Sequence, residues 1–253
     1  MINIGITGQS GFIGQNLVNY LQSFENISLI FFNRTFFSDS KLLDNWVKKC
    51  DIIFHLAAIS RHDKEKTLYD INIMLVKKLI SSLERTNSKP QIIYTSSTHE
   101  IKDTYYSKSK YEGRMLFSDW SVKNNTIFNG LILPNVFGPY AKPNYASVVA
   151  TFCYNVSKNI KSKIISDAKM KLIYIDELLH SFLEIINQKK KNNCHNIAFT
   201  HEIYVSEILK KLNNFYDSYK SNKTPILETN FDKNLHFTFM APEKEKFSRA
   251  CNN

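Results

Sequence analysis

Only seven glycines occur in this chain of 253 residues, and four of them, Gly5, Gly8, Gly11 and Gly14, fall within the first fourteen positions. They follow the short apolar run Ile2-Asn3-Ile4 and precede a segment, from Gly14 to about Leu21, that reads as a helix. A strand that reverses sharply into a helix while its backbone N–H groups approach a phosphate leaves no room for a Cβ. The helix aims its positive N-terminal end at the anion. The spacing Gly8-x-x-Gly11-x-x-Gly14 is neither G-x-G-x-x-G nor a loop ending in Gly-Lys-Ser/Thr. With a strand before it and a helix after it, the expected ligand is a dinucleotide, held by Gly8, Ser10, Gly11, Phe12, Ile13 and Gly14.

Ile27 to Phe32 reads as a fully buried parallel strand. It ends in Asn33-Arg34-Thr35, about where an NAD-binding chain places an acid against the adenosine ribose 2′-hydroxyl. A carboxylate there would repel a 2′-phosphate, whereas a guanidinium pairs with it bidentately. Asn33 and Arg34 therefore predict NADPH in preference to NADH, with Arg34 the chief determinant. A helix over 41–49 leads to a strand over 52–58, in which His55 reads as a core histidine without chemistry. The polar stretch 60–66 is expected as a loop over the cofactor, and a helix runs from Asp70 to about Glu84 with Ile71, Leu75, Leu79 and Leu83 on one face.

Gln91 to Thr98 is a strand ending in hydroxyls, followed by Tyr106-Ser107-Lys108-Ser109-Lys110 at the head of an amphipathic helix. Tyr106 and Lys110 are four apart and share a helix face. A tyrosine with its usual pKa of about 10 is a poor proton shuttle at neutral pH, but an ammonium beside it favours the phenolate. A nearby hydroxyl then polarises the substrate oxygen. Ser97 is preferred for that role and Thr98 is the alternative.

Thr7-Gly8-x-x-Gly11-x-x-Gly14, Asp51-x-x-x-His55-Leu56-Ala57-Ala58, the hydroxyl-ending strand and Tyr106-x-x-Ser109-Lys110, in this order and spacing, resemble the extended short-chain dehydrogenase/reductase family. The resemblance implies an α/β fold, a Rossmann-like doubly wound parallel sheet with a small C-terminal substrate-binding lobe. Residues 1–130 would form the NADP-binding domain with the catalytic Tyr and Lys, and 131–253 the lobe, partly interleaved with the first. It further implies that Leu56, Ala57 and Ala58 let the dinucleotide lie against the sheet edge and that Asn72 props the active site through a backbone contact. Pro134-Asn135-Val136-Phe137-Gly138-Pro139 resembles the segment by which nucleotide-sugar members hold cofactor and substrate, giving Pro134 to the first and Asn135 to the second. Thr98, Lys142, Asn144 and Lys171 complete the expected substrate contacts.

Ser97-Thr98-His99-Glu100-Ile101 lacks the Asp-Glu pair with which related dehydratases expel water, so ketone reduction or epimerisation is expected rather than elimination. Pro134 to Gly138, Lys142 to Tyr145, Ser147 to Tyr154 and Leu172 to Glu177 are similar to the reductases of capsule and O-antigen synthesis. Those enzymes act on UDP-4-keto-2-acetamido-2,6-dideoxyhexoses, on the route to UDP-N-acetyl-L-fucosamine. The similarity runs from Met1 to about Phe239. Members of that group carry a C-terminal metal-binding cupin domain, which is not expected within these 253 residues, and the seven histidines are too scattered to replace its metal site. The rival readings are a nucleotide-sugar 4-epimerase and an idle NADPH-binding regulator.

The net charge of +10 is spread along the chain, as for a solvated surface, and suits an anionic UDP-sugar. No arginine-rich arm, finger or aromatic-basic RNA motif points to nucleic acid. Lys189-Lys190-Lys191 reads as the polar end of a helix. No apolar run has membrane-spanning length, Met1 leads straight into a strand, and Cys50, Cys153, Cys194 and Cys251 form no CxxC pair. A cytoplasmic protein with free thiols, no membrane partner and a homodimeric assembly is expected. Near the C-terminus, 203–215 reads as a helix and 218–224 as a polar linker.

Overall fold

The structure, a computed structural model, describes residues 1–187 and 193–241; the lysine run at 189–191 and Cys251 lie outside the described residues. Two compact units emerge, Met1–Pro134 with Asp176–Ala198, and Asn135–Ile175 with Phe199 onward.

In the first unit strand and helix alternate: β1 (Ile2–Thr7), α1 (Phe12–Leu21), β2 (Ile27–Ile30), α2 (Ser40–Val47), β3 (Ile52–His55), α3 (Glu65–Thr86), β4 (Gln91–Ser97), α4 (Tyr105–Asn124) and β5 (Phe128–Leu133). Each crossover returns the chain in the same direction, which makes neighbouring strands parallel. After an excursion into the second unit (β6 Asn135–Phe137, α5 Val148–Ser157 and β7 Lys169–Tyr174), α6 (Ile175–Ile186) leads back to β8 (Asn193–Asn196). The result is a six-stranded, all-parallel sheet in the order β2-β1-β3-β4-β5-β8. Alternate side chains leave opposite faces. Ile53 joins Trp46, Leu79, Tyr94 and Phe117 in one core, while Phe54 meets Phe182 of α6 at 5.4 Å on the other.

The second unit holds a three-stranded sheet, β6-β7-β9, completed by β9 (His201–Tyr204) and followed by α7 (Val205–Lys220) and α8 (Asn230–Met240). β6 and β7 are parallel, β7 and β9 antiparallel.

Several sequence-derived boundaries shift for physical reasons. β2 stops at Ile30 and none of its residues is fully buried, because it is the sheet edge and pairs with β1 alone; Phe31 is 54% exposed. The strand expected over 52–58 pairs only as far as His55. α3 begins at Glu65, an acid suited to a helix N-terminus, which shortens the expected loop to 60–64. Ile203 and Tyr204, expected as the start of a helix, pair instead with Met170 and Lys169, so α7 starts at Val205 and runs through the first part of the expected linker to Lys220. A division after residue 130 would cut β5, whose ladder with β4 binds it to the first unit.

Candidate active site

The chain runs from β1 out to β2 on one side and then crosses to β3 on the other, so a crevice opens between the C-terminal ends of β1 and β3. The glycine loop lies there. Gly8 has φ +75°, and a Cβ on it would stand 2.8 Å from the Ala57 nitrogen and 2.9 Å from the Leu56 carbonyl carbon. Loop and strand end therefore touch backbone to backbone. The Gly11 N–H donates to the Gly8 carbonyl at 2.9 Å, and a Cβ on Gly14 would collide with that same oxygen. α1 thus starts hard against the loop. Its N-cap is Gly11, no side chain caps it, and no acid sits in its first turn. Uncapped N–H groups and an unopposed positive helix end fit the diphosphate of a dinucleotide.

The remaining dinucleotide candidates line the same sheet edge. Ser10 is exposed, Phe12 and Ile13 are half-buried, and the Gln9 side chain accepts from the Phe32 N–H at 3.1 Å, tying the loop to the end of β2. Just beyond, the Asn33 side chain accepts from Thr35 N–H and caps a 3-10 turn (Arg34–Ser38), leaving Arg34 exposed at its start. Leu56 and Ala57 are half-buried and Ala58 is exposed after β3.

Asn72, buried in α3, makes its backbone contact with Ile59: its side-chain oxygen accepts from Ile59 N–H at 2.8 Å and its nitrogen donates to Ile59 O at 3.0 Å. The same nitrogen donates to Ser109 Oγ at 3.1 Å, and Ser109 Oγ donates to Tyr106 O at 2.7 Å. One chain of hydrogen bonds thus joins the segment after β3 to the helix bearing Tyr106 and Lys110.

Thr104 caps α4 by accepting from Ser107 N–H, which places Tyr106 in the first turn and Lys110 one turn on. Lys110 is 5% exposed, with its Nζ 4.5 Å from the Tyr94 ring centre. Burial pushes its ammonium down to about 8, and the Glu100 carboxylate opposes that fall. The Tyr94 phenol is raised, first by burial and then by the Tyr106 phenol. Ser97 ends β4 half-buried, and its Oγ accepts from His99 N–H at 3.2 Å. That bond uses a lone pair of the Ser97 hydroxyl and not its proton. Thr98 is the exposed first residue of a 3-10 turn (Thr98–Ile101).

His55 is a buried structural histidine, held down to about 3 by burial and then by the Lys110 charge. Thr7 Oγ1 accepts from Ala57 N–H at 3.3 Å and lies 3.0 Å from His55 Nδ1, tying β1 to the end of β3.

Two features escaped sequence reasoning. Tyr94 underlies Lys110, and Arg114 grips Glu100 with Nε at 2.9 Å and an Nη at 2.8 Å. Neither follows a helix or strand period, since strand pairing and a 3-10 turn bring them together.

Pro134 is the last residue of the first unit's N-terminal segment. The second unit carries the other substrate candidates. Asn135 on β6 donates to Lys171 O on β7 at 3.2 Å, and Lys171 Nζ lies 4.9 Å from the Phe199 ring. Lys142 stands 5.6 Å from the Tyr145 ring, while Asn144, at φ 55°, donates its backbone N–H to Thr151 Oγ1. These form two groups, one on the small sheet and one on the loop before α5. Among the described residues no cluster of three or more His, Cys, Asp or Glu could hold a metal ion, and no helix is long and apolar enough to cross a membrane.

A parallel sheet with a glycine loop at its switch point defines a Rossmann-like α/β protein. Residues 4–198 match the NAD dependent epimerase/dehydratase family, and the chain belongs to it. Within that family it is 29% identical, over 238 residues, to the UDP-2-acetamido-2,6-beta-L-arabino-hexul-4-ose reductase of Pseudomonas aeruginosa. That match covers 93% of this chain and 63% of the relative, so the chain spans less than two thirds of the relative's length. The solved structure of the capsular polysaccharide assembling protein CapF from Staphylococcus aureus is similar, with TM-score 0.82 and 28% identity over 95% of this chain and 66% of that one. UDP-N-acetylglucosamine 4-epimerase from Bacillus cereus shares the fold, with TM-score 0.77 at 17% identity over 94% of this chain and 96% of its own.

Proposed function

We propose that this protein reduces the C4 ketone of a UDP-4-keto-2-acetamido-2,6-dideoxyhexose with NADPH, in the cytoplasm, as a homodimer serving surface-polysaccharide synthesis. The observation that carries the reading is the hydrogen-bonded chain Ile59–Asn72–Ser109–Tyr106, which couples the segment beside the glycine loop to the proton-transfer helix. The reductase similarity supports the ketone as substrate. Bound in the crevice, NADPH supplies a hydride for C4.

The chain's own residues do the rest. Ser97 donates a hydrogen bond to the C4 oxygen as negative charge grows there. The Tyr106 hydroxyl transfers its proton to that oxygen, completing an alcohol. Lys110 holds an ammonium near the phenol and so makes the phenolate that remains less costly. Arg34, exposed where β2 ends, takes the 2′-phosphate. Gly8, Gly11 and Gly14 let the α1 N-terminus hold the diphosphate, and Leu56 to Ala58 form the wall beside it. Asn135, Lys142, Asn144 and Lys171 are the proposed contacts to UDP and sugar.

Steady-state kinetics with both coenzymes against a panel of UDP- and dTDP-4-keto sugars, with NMR of the product, test this. A UDP-linked ketone consumed in step with NADPH is expected. A lower KM for NADH than for NADPH would contradict the coenzyme assignment. Tightly retained coenzyme with no net oxidation would show a 4-epimerase instead.

A further inference from the structure

The segment 98–104 joins the strand that ends in Ser97 to the helix that starts just before Tyr106. Most of it is exposed, Ile101 at 93%, and its own bonds are short-range: His99 N–H to Ser97 Oγ, Lys102 N–H to His99 O, and Thr104 N–H to Lys102 O. The Lys108–Asp103 ion pair is exposed and constrains little. Glu100 is the exception. Its side chain is 8% exposed, and Arg114, at 15%, engages both of its oxygens.

Arg114 lies one turn past Lys110 and two past Tyr106, on the same helix face. Its stem is fixed as well, since it occupies the space over Gly130 of β5, where a Cβ would come within 2.8 Å of Arg114 Cδ. A fork preorganised in this way holds a carboxylate in one geometry.

We infer that Glu100, gripped by Arg114, is a positioning residue: it fixes the Ser97 end of β4 against the Tyr106–Lys110 face of α4 and supplies the counter-charge for Lys110. The inference rests on the reading of Ser97, Tyr106 and Lys110 as a proton-transfer set. The groups that face Lys110 are neutral His55 on β3, Tyr94 on β4, Glu100 on the 3-10 turn, and Tyr106 and Arg114 on its own helix; Glu100 is the anion among them. With both oxygens held by Arg114 it is an anchor rather than an acid–base group.

Glu100→Gln keeps the shape and removes the charge. The expected result is a kcat lowered at least about tenfold with the coenzyme KM within about twofold, and a Lys110 titration, followed by NMR of lysine 15N-labelled protein, moved to lower pH. Glu100→Asp keeps the charge and shortens the reach, so kcat should fall while the Lys110 midpoint stays near wild type. An unmoved Lys110 midpoint in Glu100→Gln, or an undiminished kcat in either variant, would overturn the inference. If Glu100→Gln fails to fold, Glu100→Asp decides it by kcat. If the wild type reduces no UDP-4-keto sugar, the functional reading fails while the NMR titration of Glu100→Gln still decides the counter-charge.

Discussion

Tyr106 and Lys110 lie four residues apart on α4, and the buried ammonium over the Tyr94 ring, favoured by the Glu100 charge, sets the pH behaviour expected of the site. The proposed mechanism uses that ammonium, so activity should fall as pH rises through about 8, visible as the alkaline limb of a kcat profile. Stability should move the other way. Between about 8 and the ordinary value of 10.5 the unfolded chain holds a proton on this lysine that the folded chain lacks, so its contribution to unfolding free energy rises with pH across that window. Denaturant titrations of wild type and Lys110→Met, run at pH values on either side of it, would read this out. Ser97→Ala should lower kcat by about 10²-fold or more while Thr98→Ala leaves it near wild type, because a donor aimed at developing charge is worth that much. That Tyr106 and Lys110 share a face was legible in the sequence because a helix fixes which side chains do so. Tyr94, Glu100 and Arg114 were not, because a parallel ladder and a tight turn bring them together without any local pattern.

The loop from β1 to α1 is the element whose form was most legible, since bare backbone at three-residue spacing has few other uses. Gly8→Ala should be strongly destabilising and should abolish coenzyme binding, as it combines a φ of +75° with a collision into the β3 end; thermal melts and coenzyme fluorescence titrations check both. By contrast, Thr229→Ala removes a reciprocal cap at α8 and should lower stability by about 1 kcal/mol without touching the coenzyme site. β2 and β9 were read less well. An apolar run does not say whether its strand lies inside a sheet or at its edge, and His201 to Tyr204 becomes a strand only because β7 offers a partner.

For the whole molecule, alternation of apolar strand and amphipathic helix was enough to fix a parallel α/β sheet, and with it the crevice between β1 and β3. What composition did not reveal was the return of residues 176–198 to the first unit, a long-range pairing of β8 with β5. The net charge of +10 belongs to this scale too: the KM for an anionic nucleotide sugar should rise with ionic strength, whereas kcat should change little.

In the proposed reaction Tyr106 gives its proton to a sugar carbonyl as NADPH is oxidised. Its most direct test compares NADPH oxidation in the presence of a UDP-4-keto-2-acetamido-2,6-dideoxyhexose by wild type and Tyr106→Phe. One NADPH consumed per ketone by the wild type, with a rate about 10²- to 10⁴-fold lower in the variant at unchanged coenzyme affinity, is the predicted result. Equal rates from the two proteins, or no oxidation by the wild type, would contradict it.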